Sequence, residues 1–255
     1  MPLRPAAPLA AVVLATAALA IPAHAQDAAP RTDDEIKALV LDAIRENPGI
    51  IEEAVQLLRE QEEARQLAAA RAVLADRAYL EDGAPVLANA DGDITVIEFL
   101  DYNCPYCKRA MDEVATLVEA DPNVRRVVRE WPILGEGSVV AARAALAARE
   151  QGRYQEMHEA LMGLQRADEA AVMATAESLG LDMGKLEADM NDPAINAHFE
   201  RSHELAQAMG FTGTPSFVIG DELLPGVVPA DGLRAVVDAE RARLAGGGSA
   251  GGDAN

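Results

Sequence analysis

Residues 94–110 read ITVIEFLDYNCPYCKRA, and they decide the architecture. The first nine, 94–102, are β-branched and aromatic and follow Asp91-Gly92, which predicts a buried strand. KRAMDEVATLVEA, from Lys108 onward, carries a helical pattern. Between the two lie Cys104 and Cys107, both cysteines of this 255-residue chain. A strand that runs through C-x-x-C into a helix places its first cysteine at the helix N-terminus. There the unpaired backbone N–H groups and the helix dipole stabilise a thiolate.

Three chemistries compete for such a pair. A closed zinc site needs four ligands, and downstream of the N-terminal segment only His158, His198 and His203 remain as histidine donors. His198 and His203 stand five apart on an expected helix and read as exposed polar residues. A structural staple is weak, because disulfide stabilisation grows with the loop closed and this loop is very short. The redox reading uses every feature: Cys104 as the exposed nucleophile, Cys107 one turn inside as the resolving thiol, and Pro105 where a missing N–H loses nothing. No metal and no cofactor are expected.

Outward from this centre, VRRVVREWPI (124–133) reads as a second strand and TPSFVIG (214–220) as a third. LLPGVV (223–228) can pair back on the third as a fourth. Ser138 opens a helical stretch that continues, broken by glycines and Asn191-Asp192-Pro193, to about residue 209. A last helix starts at Asp231, and 246–255 form a Gly-rich tail expected to be disordered. The order strand, helix, strand, helical block, hairpin, helix is an α/β arrangement with a helical insertion at about 138–209.

Upstream, Thr32 and Glu35 form a capping box before an amphipathic helix over 33–46. Asn47-Pro48 ends it. From Ile50 no Gly or Pro occurs until Gly83, which predicts one helix of about 30 residues. Its later half carries too few large apolar residues for a core, so residues 26–84 read as a helical extension that projects as an arm or packs on another chain. Residues 1–25, MPLRPAAPLAAVVLATAALAIPAHA, have an early cation, a short apolar run and a small-x-small exit, the pattern of a cleaved signal peptide. Export implies a compartment where disulfides persist. A net charge of −20 argues against nucleic acid or an anionic membrane as partner.

FLDYNCPYCKRA together with GTPSFVIG resembles the DsbA branch of the thioredoxin superfamily, over roughly residues 85–245. The resemblance implies a thioredoxin-like fold with an inserted helical domain. It implies catalysis by Cys104 and Cys107 across Pro105 and Tyr106, and a cis-proline at Pro215, after Thr214, facing the cysteines. It also implies a buried acid, Glu98, that exchanges a proton with Cys107. Strongly oxidising members have His where this chain has Tyr106, so the Cys104 thiol should be acidic but less so than theirs.

Tyr106, Thr214 and the N-terminal extension are more similar to the disulfide isomerases and the ScsC-like copper-tolerance relatives. The implied protein is a periplasmic thiol–disulfide oxidoreductase or isomerase that acts on unfolded or misoxidised exported proteins. Its membrane redox partner would be a DsbD-like reductase or a DsbB-like oxidase, and residues 33–82 would join it into a homo-oligomer. The alternatives are a monomeric DsbA-type oxidant, a non-catalytic chaperone, or a copper-binding module; two cysteines and scattered methionines supply no dedicated copper cluster.

Overall fold

The computed structural model describes residues 31–247; the expected signal peptide at 1–25 and residues 248–255 of the expected tail lie outside the described residues. The chain divides into two compact units between Gln56 and Leu57.

The first unit holds α1 (Asp33–Glu46) and the start of α2 (Gly49–Ala75). The capping box forms as expected: the Thr32 hydroxyl accepts the Glu35 N–H at 3.4 Å, and the Glu35 carboxylate accepts the Thr32 N–H at 2.8 Å. Asp33, Asp34 and Glu35 occupy the first turn, where the helix dipole favours acids. Asn47 closes α1 by donating its N–H to the Ala43 carbonyl at 3.0 Å. No residue of α1 is buried, and Ile36, Leu39, Val40 and Leu41 are all exposed.

The second unit continues α2 and adds α3 (Arg77–Glu81), β1 (Val86–Ala88), β2 (Ile94–Leu100), α4 (Pro105–Ala120) and β3 (Val124–Glu130). The inserted helices follow: α5 (Glu136–Arg149), α6 (Tyr154–Gly163), α7 (Glu169–Ser178), α8 (Met183–Asp189) and α9 (Pro193–Ala208). The hairpin β4 (Ser216–Ile219) and β5 (Glu222–Pro225) and then α10 (Ala230–Gly247) complete it. The sheet order is β1-β3-β2-β4-β5, with β2 and β3 parallel and the other pairs antiparallel.

Four expectations need correction. The long helix is not continuous to Gly83: Asp76 interrupts it and caps α3 by accepting the Tyr79 N–H at 2.9 Å. Its later half does enter the core, where Ala70, Leu74 and Leu80 are buried. Small side chains permit this close approach, and Gln66 reinforces it by donating to the Gln207 and Ala208 carbonyls at 2.9 and 2.7 Å. The unit boundary therefore falls at Gln56/Leu57 rather than near residue 84. Finally, α10 runs through Gly247, two residues into the segment expected to be tail.

Strand β2 is central, and every residue but Thr95 is buried, which explains why its sequence shows little alternation. Side chains still alternate between faces. Ile97 and Phe99 pack with Val127, Leu205 and Phe211 on the α9 side. Val96, with Phe217 and Ile219, packs against Ala110, Val114 and Leu117 of α4 and against Leu233 and Val237 of α10. Leu100 and Val128 join the cluster that contains both cysteines and much of the inserted helical block. The C-terminal end of β2 thus delivers the turn 101–104 to the junction of sheet, α4 and insertion.

Candidate active site

Cys104 is the N-cap of α4, and Pro105 opens the helix. The Cys104 N–H donates to the Asp101 carbonyl at 3.0 Å. Its Sγ donates to the Thr214 carbonyl at 3.2 Å, and the Thr214–Pro215 bond is cis. The two thiols and the Thr214–Pro215 turn therefore meet at one place. Cys104 was expected to be exposed, but only 4% of it is, because the Thr214 backbone lies against its sulfur. Cys107 is fully buried, and both cysteines are free. Tyr106, between them, is exposed, with the Arg109 guanidinium 4.7 Å from its ring centroid.

The two thiols titrate in opposite directions. Cys104 receives a hydrogen bond from the Cys107 thiol, the largest effect, and further ones from the Thr214 side chain and the N–H groups of Cys107 and Tyr106. These outweigh burial and bring it down to about 5. Burial, then the hydrogen bond and charge of Cys104, push Cys107 far up. The Lys108 ammonium donates to the Leu164 and Gln165 carbonyls, and it feels the charges of Asp101 and Cys104.

Glu98 is fully buried on β2. Its Oε2 accepts from Arg126 Nη2 at 2.7 Å and Nε at 3.2 Å, while Oε1 has no partner among the described residues. The groups that act most strongly on Cys107 are Cys104, the Asp101 backbone and Thr214; Glu98 is not among them.

A second buried acid escaped the sequence reading. Glu130, at the end of β3 beside Leu100, accepts the Tyr102 and Tyr154 hydroxyls at 2.7 and 2.6 Å. His158 Nδ1 lies 3.1 Å from the same Tyr102 hydroxyl. Arg126, Val128 and Glu130 share one face of β3, but Arg125 and Arg129 put charges on the other face as well, so the strand's sequence does not single Glu130 out. Of the two histidines expected to be exposed on a helix, His203 is exposed on α9 and His198 is not. His158 and His198 are buried, His198 Nε2 accepts the Glu130 N–H at 3.2 Å, and His203 takes the Trp131 Nε1–H at 3.3 Å. Among the described residues no group of three or more His, Cys, Asp or Glu side chains is placed to hold a metal ion.

Burial, then the charges of Asp101 and Glu98, outweigh the two tyrosine hydroxyls and push Glu130 up to about 8 from an ordinary 4.5. A raised carboxyl contributes stability that is complete below the unfolded value and is lost as pH rises through the folded one. The window is thus about pH 4.5 to 8. His158 and His198 are depressed by burial and act oppositely, losing stability as pH falls. Comparing Glu130→Gln with wild type by thermal melts across this window isolates the acid. The decline of melting temperature with rising pH should be shallower in the variant, and parallel curves would show that Glu130 does not titrate there.

Residues 95–238 match the DSBA-like thioredoxin domain, and residues 34–65 match the copper resistance protein ScsC N-terminal domain. Among solved structures, a thioredoxin-like oxidoreductase from Silicibacter pomeroyi DSS-3 is 56% identical, with a TM-score of 0.63, covering 66% of this chain and 97% of that one. Proteus mirabilis ScsC in a transitional conformation is 30% identical with a TM-score of 0.61, covering 82% of this chain and 97% of that one. The Na(+)/H(+) antiporter NhaA of Herminiimonas arsenicoxydans is 33% identical over 153 residues, 59% of this chain. That match covers 24% of the antiporter, so the chain spans about a quarter of the length of such curated relatives.

Proposed function

Because the chain belongs to the DsbA-like thioredoxin family and carries a ScsC-type N-terminal domain ahead of it, we propose that it is a periplasmic protein disulfide isomerase for exported proteins. The observation that carries this reading is the pairing of an acidic thiol, Cys104 at the α4 N-cap, with a buried thiol held protonated, Cys107.

The chemistry follows from that asymmetry. The Cys104 thiolate attacks one sulfur of a substrate disulfide; a Cys104–substrate bond forms, the substrate S–S bond breaks, and the other substrate sulfur leaves as thiolate. In isomerisation a substrate thiolate then displaces Cys104 and forms a different pairing, with no net electron transfer. When no such thiolate arrives, Cys107 gives up its proton and attacks the Cys104 sulfur. The substrate leaves reduced by two electrons, and a Cys104–Cys107 disulfide remains for a membrane reductase to restore. Glu98 keeps Oε1 open, the oxygen suited to take the Cys107 proton. Pro215, at the start of the strand beside the sulfur, offers backbone for a substrate peptide to align on.

Two features favour isomerase over oxidant. Tyr106 stands between the cysteines in place of a ring cation, and α1 presents Ile36, Leu39 and Val40 to solvent, an apolar face suited to a second copy of the chain. The signal peptide at 1–25 and the redox partner belong to this proposal. Among the described residues no helix is long and apolar enough to cross a membrane.

Refolding of a scrambled disulfide substrate beside oxidation of a reduced one tests the role, with light scattering on the same sample. Rescue of scrambled substrate by an oligomer, and its conversion to monomer by Leu39→Glu with Val40→Glu, is the expected result. A monomer that oxidises reduced substrate and leaves scrambled substrate unchanged would identify an oxidant instead.

A further inference from the structure

Asp101 and Asn103 flank the approach to Cys104 and have no role in the exchange chemistry above. Asp101 is 1% exposed, and its carboxylate accepts four hydrogen bonds. Oδ1 takes the Asn103 N–H at 2.8 Å and the Ser138 hydroxyl at 2.7 Å; Oδ2 takes the Ile133 and Leu134 N–H groups at 2.8 and 3.0 Å. A buried carboxylate this well supplied with donors is fixed in place. Asn103 reaches the other way. Its Oδ1 accepts the Ala167 N–H at 2.8 Å, and its Nδ2 donates to the Ala167 carbonyl at 3.0 Å and to Ser138 Oγ at 3.2 Å.

We infer that Asp101 and Asn103 are positioning residues through which the inserted helical block holds the turn that carries Cys104.

The contacts join four segments: the β2–α4 turn, the loop after β3, the first turn of α5 and the α6–α7 loop. Gly137 marks how closely the last two approach. A Cβ there would fall 2.4 Å from the Ala167 carbonyl oxygen and 3.3 Å from Asn103 Nδ2, so no side chain fits. Lys108 ties α4 to the same α6–α7 loop through the Leu164 and Gln165 carbonyls. The N–H groups of Tyr106 and Cys107 serve the Cys104 sulfur, and both belong to the first turn of α4. Their aim depends on where that turn begins, which the Asp101 carbonyl and the two side chains determine. Asn103 carries no charge, so its effect on the sulfur acts through geometry alone.

The inference rests on the thiol–disulfide reading, and its test reads the thiol rather than turnover. The pH titration of Cys104 by thiolate absorbance, and the equilibrium with reduced and oxidised glutathione, are measured on full-length wild type, Asn103→Ala and Gly137→Ala. The first variant removes the tether from the catalytic side; the second pushes Ala167 away from the insertion side. In both the Cys104 midpoint should rise by about one unit, a tenfold loss of thiolate stabilisation. The glutathione equilibrium should move about tenfold toward the protein disulfide, because the reduced form has lost that stabilisation.

Gln151→Ala serves as control. It removes two hydrogen bonds to Asp182 within the insertion, at 3.1 and 2.9 Å and far from the turn in sequence, and should leave Cys104 unmoved. Folded Asn103→Ala and Gly137→Ala proteins that titrate as wild type would overturn the inference. So would a shift in Gln151→Ala equal to theirs, since the effect would then be general loosening. A wild-type Cys104 that titrates like a free thiol would instead overturn the thiol–disulfide reading itself.

Discussion

Cys104→Ala should abolish thiol–disulfide exchange, by at least about a thousandfold in rate, whereas Cys107→Ala should keep the first step and stall after it. With Cys104 brought down to about 5, nearly all of it is thiolate at neutral pH, while Cys107 is pushed up and stays protonated. Removing Cys104 therefore removes the one ionised sulfur of the pair, and Cys107 cannot substitute from its buried position. Removing Cys107 keeps the attacking sulfur, although it takes away the hydrogen bond that lowers Cys104 most, and it deletes the internal exit, so mixed disulfides with substrate should accumulate and appear on non-reducing electrophoresis.

The acidity of Cys104 serves departure more than attack. Nucleophilicity falls with basicity at a Brønsted slope of about 0.4–0.5, so at neutral pH the gain in thiolate fraction is nearly offset. A low value does make Cys104 a good leaving group when another thiolate displaces it, the step that isomerisation repeats. It also keeps the sulfur ionised in acid. Exchange rates should hold as pH falls to about 5 and decline below it. A tenfold loss for each unit below neutrality, with no trapped species in Cys107→Ala, would contradict the assignment.

The local chemistry of the chain was legible, while its long-range polar contacts were not. The strand expected over 94–102, the capping box at Thr32 and the helix opening at Pro105 follow from neighbours in sequence; the latter two form as expected and the strand forms over Ile94–Leu100. The break at Asp76 depends on a single cap inside an alanine-rich run whose propensity is helical throughout. Leu74 packs with Leu205 and Ala206 of α9, more than 120 positions away, and the alanine-rich run around it gives no signal of such contact. The three-residue β1 is too short for a periodic pattern. Most instructive are Asp101 and Glu130. Each is one acid among many in sequence, and each becomes distinctive only when folding places donors around it.

Glu98→Ala should cost about 3–5 kcal/mol of folding stability, read as a fall in the denaturant midpoint. Glu98 is fully buried, its partner Arg126 is nearly so, and the guanidinium meets it through two hydrogen bonds. Truncating the acid leaves a cation inside the sheet–helix layer without its counter-charge, which is far worse than never having had the pair. Glu98→Ala combined with Arg126→Met should therefore recover most of the loss, since apolar replacement of a buried ion pair is often close to neutral.

Glu98→Gln separates the structural role from the proton-carrying one. Its amide oxygen can still accept from Arg126, so stability should fall less than in Glu98→Ala, but it cannot take a proton. If Glu98 receives the Cys107 proton, release of trapped substrate should slow in this variant at neutral pH, with the Cys104 titration unchanged. Unaltered release, together with the full loss of stability in Glu98→Ala, would make Glu98 solely the anchor of Arg126. The proton would then leave by another route, with the departing substrate thiolate as its acceptor.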